Sequence, residues 1–84
     1  MGKMPMAVRV ELTPLLRKYI PDYDPDKGLT IEDGEGKAVR QIIKELGIPS
    51  DKVFAVLINH LPSQPSYQLK DGDLVTLSMV LGGG

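Results

Sequence analysis

Val39-Arg40-Gln41-Ile42-Ile43-Lys44-Glu45-Leu46-Gly47-Ile48-Pro49 is the stretch on which the fold of this chain turns. Its apolar residues Val39, Ile42, Ile43 and Leu46 fall at i, i+3, i+4 and i+7, the stripe of an amphipathic helix. Lys37, Arg40, Gln41, Lys44 and Glu45 fill the other face. Gly47 offers a left-handed stop, and Pro49 prevents the helix from resuming. The spacing therefore predicts a helix over 37–46. In a chain of 84 residues it is the one strong helical pattern, so its stripe needs a sheet to cover it.

Strand patterns lie on both sides. Upstream, Val8, Val10 and Leu12 alternate with Arg9, Glu11 and Thr13, the period of a half-buried strand. Thr13-Pro14 then starts a short helical turn, with Thr13 as its cap and Pro14 at its first position, Leu15, Leu16, Tyr19 and Ile20 as its apolar side and Pro21 as its end. Pro21 to Gly28 is a loop rich in breakers and acids, and Leu29-Thr30-Ile31-Glu32 is a second strand. Downstream, Val53 to Ile58 is apolar at every position, which predicts a central strand covered at least in part on each face. Asn59-His60 is the turn after it. Leu61 to Leu69 contains Pro62 and Pro65 and is expected to hold one weak edge segment at Tyr67-Gln68-Leu69. Lys70-Asp71-Gly72-Asp73 is a tight turn, and Leu74 to Leu81 is the last strand. The first two strands are expected to pair antiparallel, with the last strand beside the first in mid-sheet. This order makes an α+β roll of the β-grasp, ubiquitin-like type: a small mixed sheet of four to five strands with one main helix on one face. One domain over residues 1–81 is expected, followed by a flexible glycine tail at 82–84.

Composition narrows the function. Ten basic and eleven acidic residues leave a net charge of −1, and there is no Trp and one Phe, so neither a field nor a stacking surface for nucleic acid is expected. The absence of Cys removes disulfides, thiol catalysis and thiolate metal sites. The longest apolar run, Val53 to Ile58, is far too short for a membrane span, and no signal-peptide pattern stands at the start. A cytoplasmic protein without membrane partners is the expectation.

The sequence closes on Gly82-Gly83-Gly84 directly after the last strand. Glycine is costly to order and has nothing to bury, so this ending adds nothing to the stability of a compact body. It suits a carboxylate threaded extended into another protein's active site; three residues reach roughly 10 Å. A frayed terminus or linker is the plainer reading of the tail alone.

Three motifs, in order, resemble the ubiquitin-like sulfur-carrier family (the MoaD/ThiS family), whose members include the small subunit of molybdopterin synthase and the thiamine-pathway sulfur carrier. Glu35-Gly36-Lys37-Ala38-Val39 with Ile42-Ile43-Lys44-Glu45-Leu46-Gly47-Ile48 resembles the family's helix signature. Val56-Leu57-Ile58-Asn59 resembles its central strand, and Leu69-Lys70-Asp71-Gly72-Asp73-Leu74-Val75 its Leu-x-Asp-Gly-Asp-x-Val turn. The terminal glycines match as well, and the likeness extends from Met6 to Gly84. His60 replaces the family's Gly after Asn, and Ser78-Met79-Val80-Leu81 replaces a Pro-containing stretch before the glycines.

The resemblance implies a sulfur carrier rather than an enzyme: a co-substrate, or the non-catalytic small subunit of a sulfur-transferase complex. The Gly84 carboxylate would be adenylated by a ubiquitin-activating-type adenylyltransferase, the partner binding the ATP. It would then become a thiocarboxylate that donates sulfur through a larger catalytic subunit or acceptor enzyme, to molybdopterin or its tungsten analogue first and thiamine next. A bare carboxylate is a poor electrophile, which is why activation is needed. Gly82, Gly83 and Gly84 form the tail, and Met79 and Leu81, on the sheet's open face, are the candidate docking residues or, equally, ordinary core or edge side chains. No cofactor and no catalytic side chain of its own are implied. The alternatives are a protein modifier conjugated through Gly84 and a β-grasp interaction module with no activation.

Other features yield no site. His60 stands alone, without Cys or convergent acids, and reads as a turn residue. Asp22, Asp24, Asp26 and Asp33 faintly suggest a calcium loop, but Pro25 stiffens its middle and Lys27 opposes a cation. Gly34-Glu35-Gly36 lacks the glycine spacing of a phosphate cradle.

Overall fold

The computed structural model describes residues 7–79. Five strands form one sheet: β1 (Val8–Leu12), β2 (Leu29–Ile31), β3 (Ala55–Ile58), β4 (Leu61–Ser63) and β5 (Leu74–Ser78), in the spatial order β2-β1-β5-β3-β4. β1 and β2 are antiparallel, and β5 runs parallel to β1 with Leu12 opposite Leu77. β3 is antiparallel to both β5 and β4. The one α-helix among the described residues, α1 (Val39–Glu45), buries Val39, Ile42 and Ile43 in a core shared with Val8, Val10, Leu12, Val56, Ile58, Val75 and Leu77. The helix stripe and one face of the sheet thus cover each other, and the fold is the β-grasp roll that the element order implies.

Gly47 ends the helix at φ 77°, the left-handed stop read from sequence. At the other end, Ala38 caps α1 without a side-chain bond. The first free N–H groups of the helix are instead taken by backbone carbonyls: Val39 N–H donates to Tyr67 O and Arg40 N–H to Pro65 O, both at 2.9 Å. Leu69 exchanges bonds with Gly36 and Lys37 at 2.8 Å.

That arrangement corrects the expected edge strand. Tyr67-Gln68-Leu69 is not part of the sheet, beyond one isolated bridge between Ala38 and Gln68, because its backbone serves the helix start. The edge strand is β4, formed directly after the turn. Pro62 fits there because it pairs opposite Leu57, flanked by Ile58↔Leu61 and Val56↔Ser63, at an edge where a missing N–H is tolerated.

β5 is the middle strand, as expected, and β3 is an interior strand between β5 and the edge strand β4. Val56 and Ile58 are buried on one face of β3, while on the other Leu57 is half-buried and Ala55 exposed, so the second face is covered only in part.

The two-residue link from β3 to β4 places Asn59 at φ 52° and His60 at φ 70°, the mirror-image turn that matches strand twist. Left-handed backbone costs a residue bearing a Cβ roughly 1 kcal/mol or more, and glycine little. His60→Gly is therefore expected to raise unfolding stability by about 0.5–1 kcal/mol in a urea titration. Unchanged or lower stability would show that His60 makes a compensating contact.

Beyond Val10, β2 no longer covers β1. Leu12 faces that gap, and side chains complete its bonding: its N–H donates to Tyr23 Oη and its carbonyl accepts from Arg17 Nε, both at 3.0 Å. Arg17 also lies over the Tyr23 ring, 5.2 Å from its centre. Pro14–Tyr19 is a 3-10 turn that buries Leu16 and keeps Leu15 partly outside.

Candidate functional site

The site suggested by the sequence is the rim at which β5 ends. β1 and β5 are parallel and β3 antiparallel, so the end of β1, the end of β5 and the start of β3 meet at one rim. Thr13 N–H donates to Leu77 O at 3.1 Å on one side, and Phe54 N–H to Ser78 O at 2.8 Å on the other. The next amide is held as well: Met79 N–H donates to Thr13 Oγ1 at 3.1 Å. Thr13 was expected to cap the turn that follows it, but it makes no such bond. Its hydroxyl grips the strand that leads to the tail.

Thr13→Val keeps the shape and removes the acceptor. It is expected to cost about 1 kcal/mol and to speed hydrogen exchange at the Met79 amide, with little change in mid-strand β5. Equal protection in both proteins would mean that the hydroxyl does not hold this amide.

The start of β5 is fixed by a second, polar device. Asp73 is 7% exposed and lies at the end of the Lys70–Asp73 turn. Its Oδ1 accepts from Asn59 Nδ2 at 3.0 Å, and its Oδ2 from Lys70 N–H at 2.8 Å and from the Tyr67 hydroxyl at 3.1 Å. Asn59 Oδ1 in turn accepts from Leu74 N–H at 3.0 Å. Burial pushes the Asp73 carboxyl upward, but the bonds from Lys70, Asn59 and Tyr67, together with the Lys70 charge, outweigh it and hold the group below the usual carboxylate range. Desolvation, the bond to Asp73 and its charge raise Tyr67, which stays a donor. Asp73 thus joins the β3–β4 turn, the helix-capping segment and the start of β5.

Met79 is half-buried and packs against the core rather than standing out on the open face. Leu81, Gly82, Gly83 and Gly84 lie outside the described residues. Phe54, which the apolar pattern of 53–58 places in a partly covered strand, stands one position before β3 and is 63% exposed at this same rim.

The remaining sequence features have local roles. Asp24 Oδ1 accepts from Asp26 N–H at 2.8 Å and Lys27 N–H at 3.3 Å, so it shapes its own loop. Gly28 closes that loop at φ 71°, and a Cβ there would stand 2.7 Å from Val10 O. Among the described residues no three His, Asp or Glu side chains converge as a metal site. His60 is exposed in its turn, and Gly36 N–H is used by Leu69 O. A shallow depression of about 630 Å³ at the end of α1 is lined by Arg40, Lys44, Ile43, Ile48 and Pro49, without a carboxylate to pair for acid–base chemistry. No helix among the described residues is long and apolar enough to cross a membrane.

Compared with known families, residues 5–79 match the family described as Mut7-C ubiquitin. The match ends at Met79, so Val80 to Gly84 lie beyond it. No curated protein matches the chain.

Proposed function

Because the chain belongs to the Mut7-C ubiquitin family, a family of ubiquitin-like domains, we propose that it acts as a sulfur carrier whose reactive group is the Gly84 carboxyl. One observation supports this above the others. The central strand β5 is held by Thr13 on one side as far as Met79 and by Phe54 on the other as far as Ser78, and is followed in sequence by Val80-Leu81-Gly82-Gly83-Gly84. A central strand has little freedom of direction at its end, so the residues after it start from a fixed point. Glycine at the last positions leaves the carbonyl open to attack.

The chemistry needs no side chain of this protein. A Gly84 carboxylate oxygen attacks the α-phosphorus of ATP bound by an activating enzyme, and pyrophosphate leaves. Hydrosulfide then adds to the acyl-adenylate carbonyl, AMP leaves, and the terminus becomes a thiocarboxylate that passes sulfur to a cofactor precursor, a molybdopterin-type dithiolene first and a thiamine thiazole next. The chain is a co-substrate in this scheme. The partner supplies nucleotide binding and catalysis.

The test is ATP–pyrophosphate exchange with purified ubiquitin-activating-type enzymes from the same genome. Exchange that requires a free Gly84 carboxyl supports the reading, and a chain amidated at Gly84 should give none. Exchange followed by isopeptide conjugates on lysine, without thiocarboxylate, would make the protein a modifier instead. Absence of exchange with every such enzyme overturns the proposal.

A further inference from the structure

Among the described residues three large apolar side chains are exposed: Leu15 at 38%, Phe54 at 63% and Leu61 at 68%. Two of them stand at the rim where β5 ends. Phe54 binds Ser78 through its backbone and immediately precedes Ala55, which pairs with Ser78. Leu15 follows Thr13, whose amide and hydroxyl hold Leu77 and Met79 from the other side. Leu61 belongs to the opposite rim, beside the β3–β4 turn.

Nothing in the fold requires Phe54 to be bare. Its neighbours Val53 and Val56 are half-buried and buried, and the β-grasp core closes without its ring. It is also the single Phe of the chain. An aromatic residue left in water beside a strand end is the kind of side chain that anchors a protein interface, where aromatics are enriched and a few residues dominate affinity.

Chain length identifies the occupant. From Met79 to Gly84 there are five residues, which reach at most roughly 17 Å when extended. Any enzyme that takes the Gly84 carboxyl into its active site has to bring its surface to within that distance of Met79, and therefore against this rim. We infer that Phe54, with Leu15 across the strand end, forms an apolar collar that docks on the ATP-dependent adenylating enzyme around the mouth of the channel accepting the tail. The inference rests on the reading of Gly84 as the activated group. The collar fixes how deeply the tail is inserted, so its loss weakens encounter and leaves the chemistry of the bound carboxyl intact. It therefore appears in KM and not in kcat.

The experiment measures pyrophosphate exchange against carrier concentration for wild type, Phe54→Ser, Phe54→Leu and Leu61→Ser, each full-length and checked for folding by circular dichroism. Phe54→Ser is expected to raise KM for the carrier about tenfold or more, with kcat within about twofold; Phe54→Leu recovers most of the loss, and Leu61→Ser behaves as wild type. If Phe54→Ser matches wild type, or Leu61→Ser is equally impaired, the collar is wrong while activation at Gly84 stands. If wild type itself supports no exchange, the reading of Gly84 falls and the collar with it.

Discussion

Asp73→Ala is expected to lower the unfolding free energy by about 2–3 kcal/mol, the cost of leaving three donors without their charged acceptor. A domain of this size is held by only about 4–12 kcal/mol in all, so the loss is a large fraction. The donors are Asn59 Nδ2, the Tyr67 hydroxyl and the Lys70 amide, which come from separate segments. Their loss frees the β3–β4 turn, the segment capping α1 and the start of β5 together. Asp73→Asn should cost less, because one amide oxygen can still serve Lys70 and Tyr67 while its NH₂ opposes the Asn59 donor.

The pH dependence follows with a definite sign. The Asp73 carboxyl titrates below its unfolded value of about 3.9, so its contribution is fully present above that pH and fades as pH falls through the lower folded value. Wild type should therefore lose stability below about pH 4 more steeply than Asp73→Ala in parallel urea titrations. Equal slopes, or a mutational cost under about 0.5 kcal/mol, would mean that water replaces these bonds and that Asp73 holds nothing together.

Removing Gly84, or placing valine at Gly83, should reduce ATP-dependent activation by about a hundredfold or more while leaving the melting temperature unchanged. Both changes lie in the glycine tail that follows Met79 in sequence, where the native residues have no side chain to bury. Their effect is confined to where the carbonyl carbon sits and how openly it is approached. A β-branched side chain next to that carbon restricts the backbone and crowds the attack path. Activity that survives loss of Gly84 would remove the carboxyl from the mechanism, whatever the fold.

The parts of this molecule set by local pattern were legible beforehand. The stripe of Val39, Ile42, Ile43 and Leu46 reports its helix, shortened at the front because Ala38 bridges to Gln68 and Leu69 pairs with Gly36 and Lys37. The alternation of Val8, Val10 and Leu12 and the Asp-Gly turn before Leu74 place β1 and β5, and chain order makes them neighbours. Properties that depend on where distant segments meet were not legible. An Asp in an Asp-Gly-Asp turn looks solvated, and its burial follows only once Asn59 and Tyr67 arrive. The recurrence of Asn59 and Asp73 in two separate motifs was the available signal for that network. Phe54 was concealed in an apolar run, because the sequence does not say that β3 lies next to the edge strand with its start at a bare rim. Thr13 looked like a helix cap, and its hydroxyl instead serves a strand 66 residues away.

The account depends on the final carboxyl being the working group, carried on a fixed strand end. Intact-mass measurement after incubation with ATP, an activating enzyme and a sulfide source tests this most directly. The predicted result is replacement of one oxygen by sulfur, mapped to the C-terminal peptide and absent without ATP. A folded protein of unchanged mass, with an enzyme shown to be active on another carrier, would contradict it.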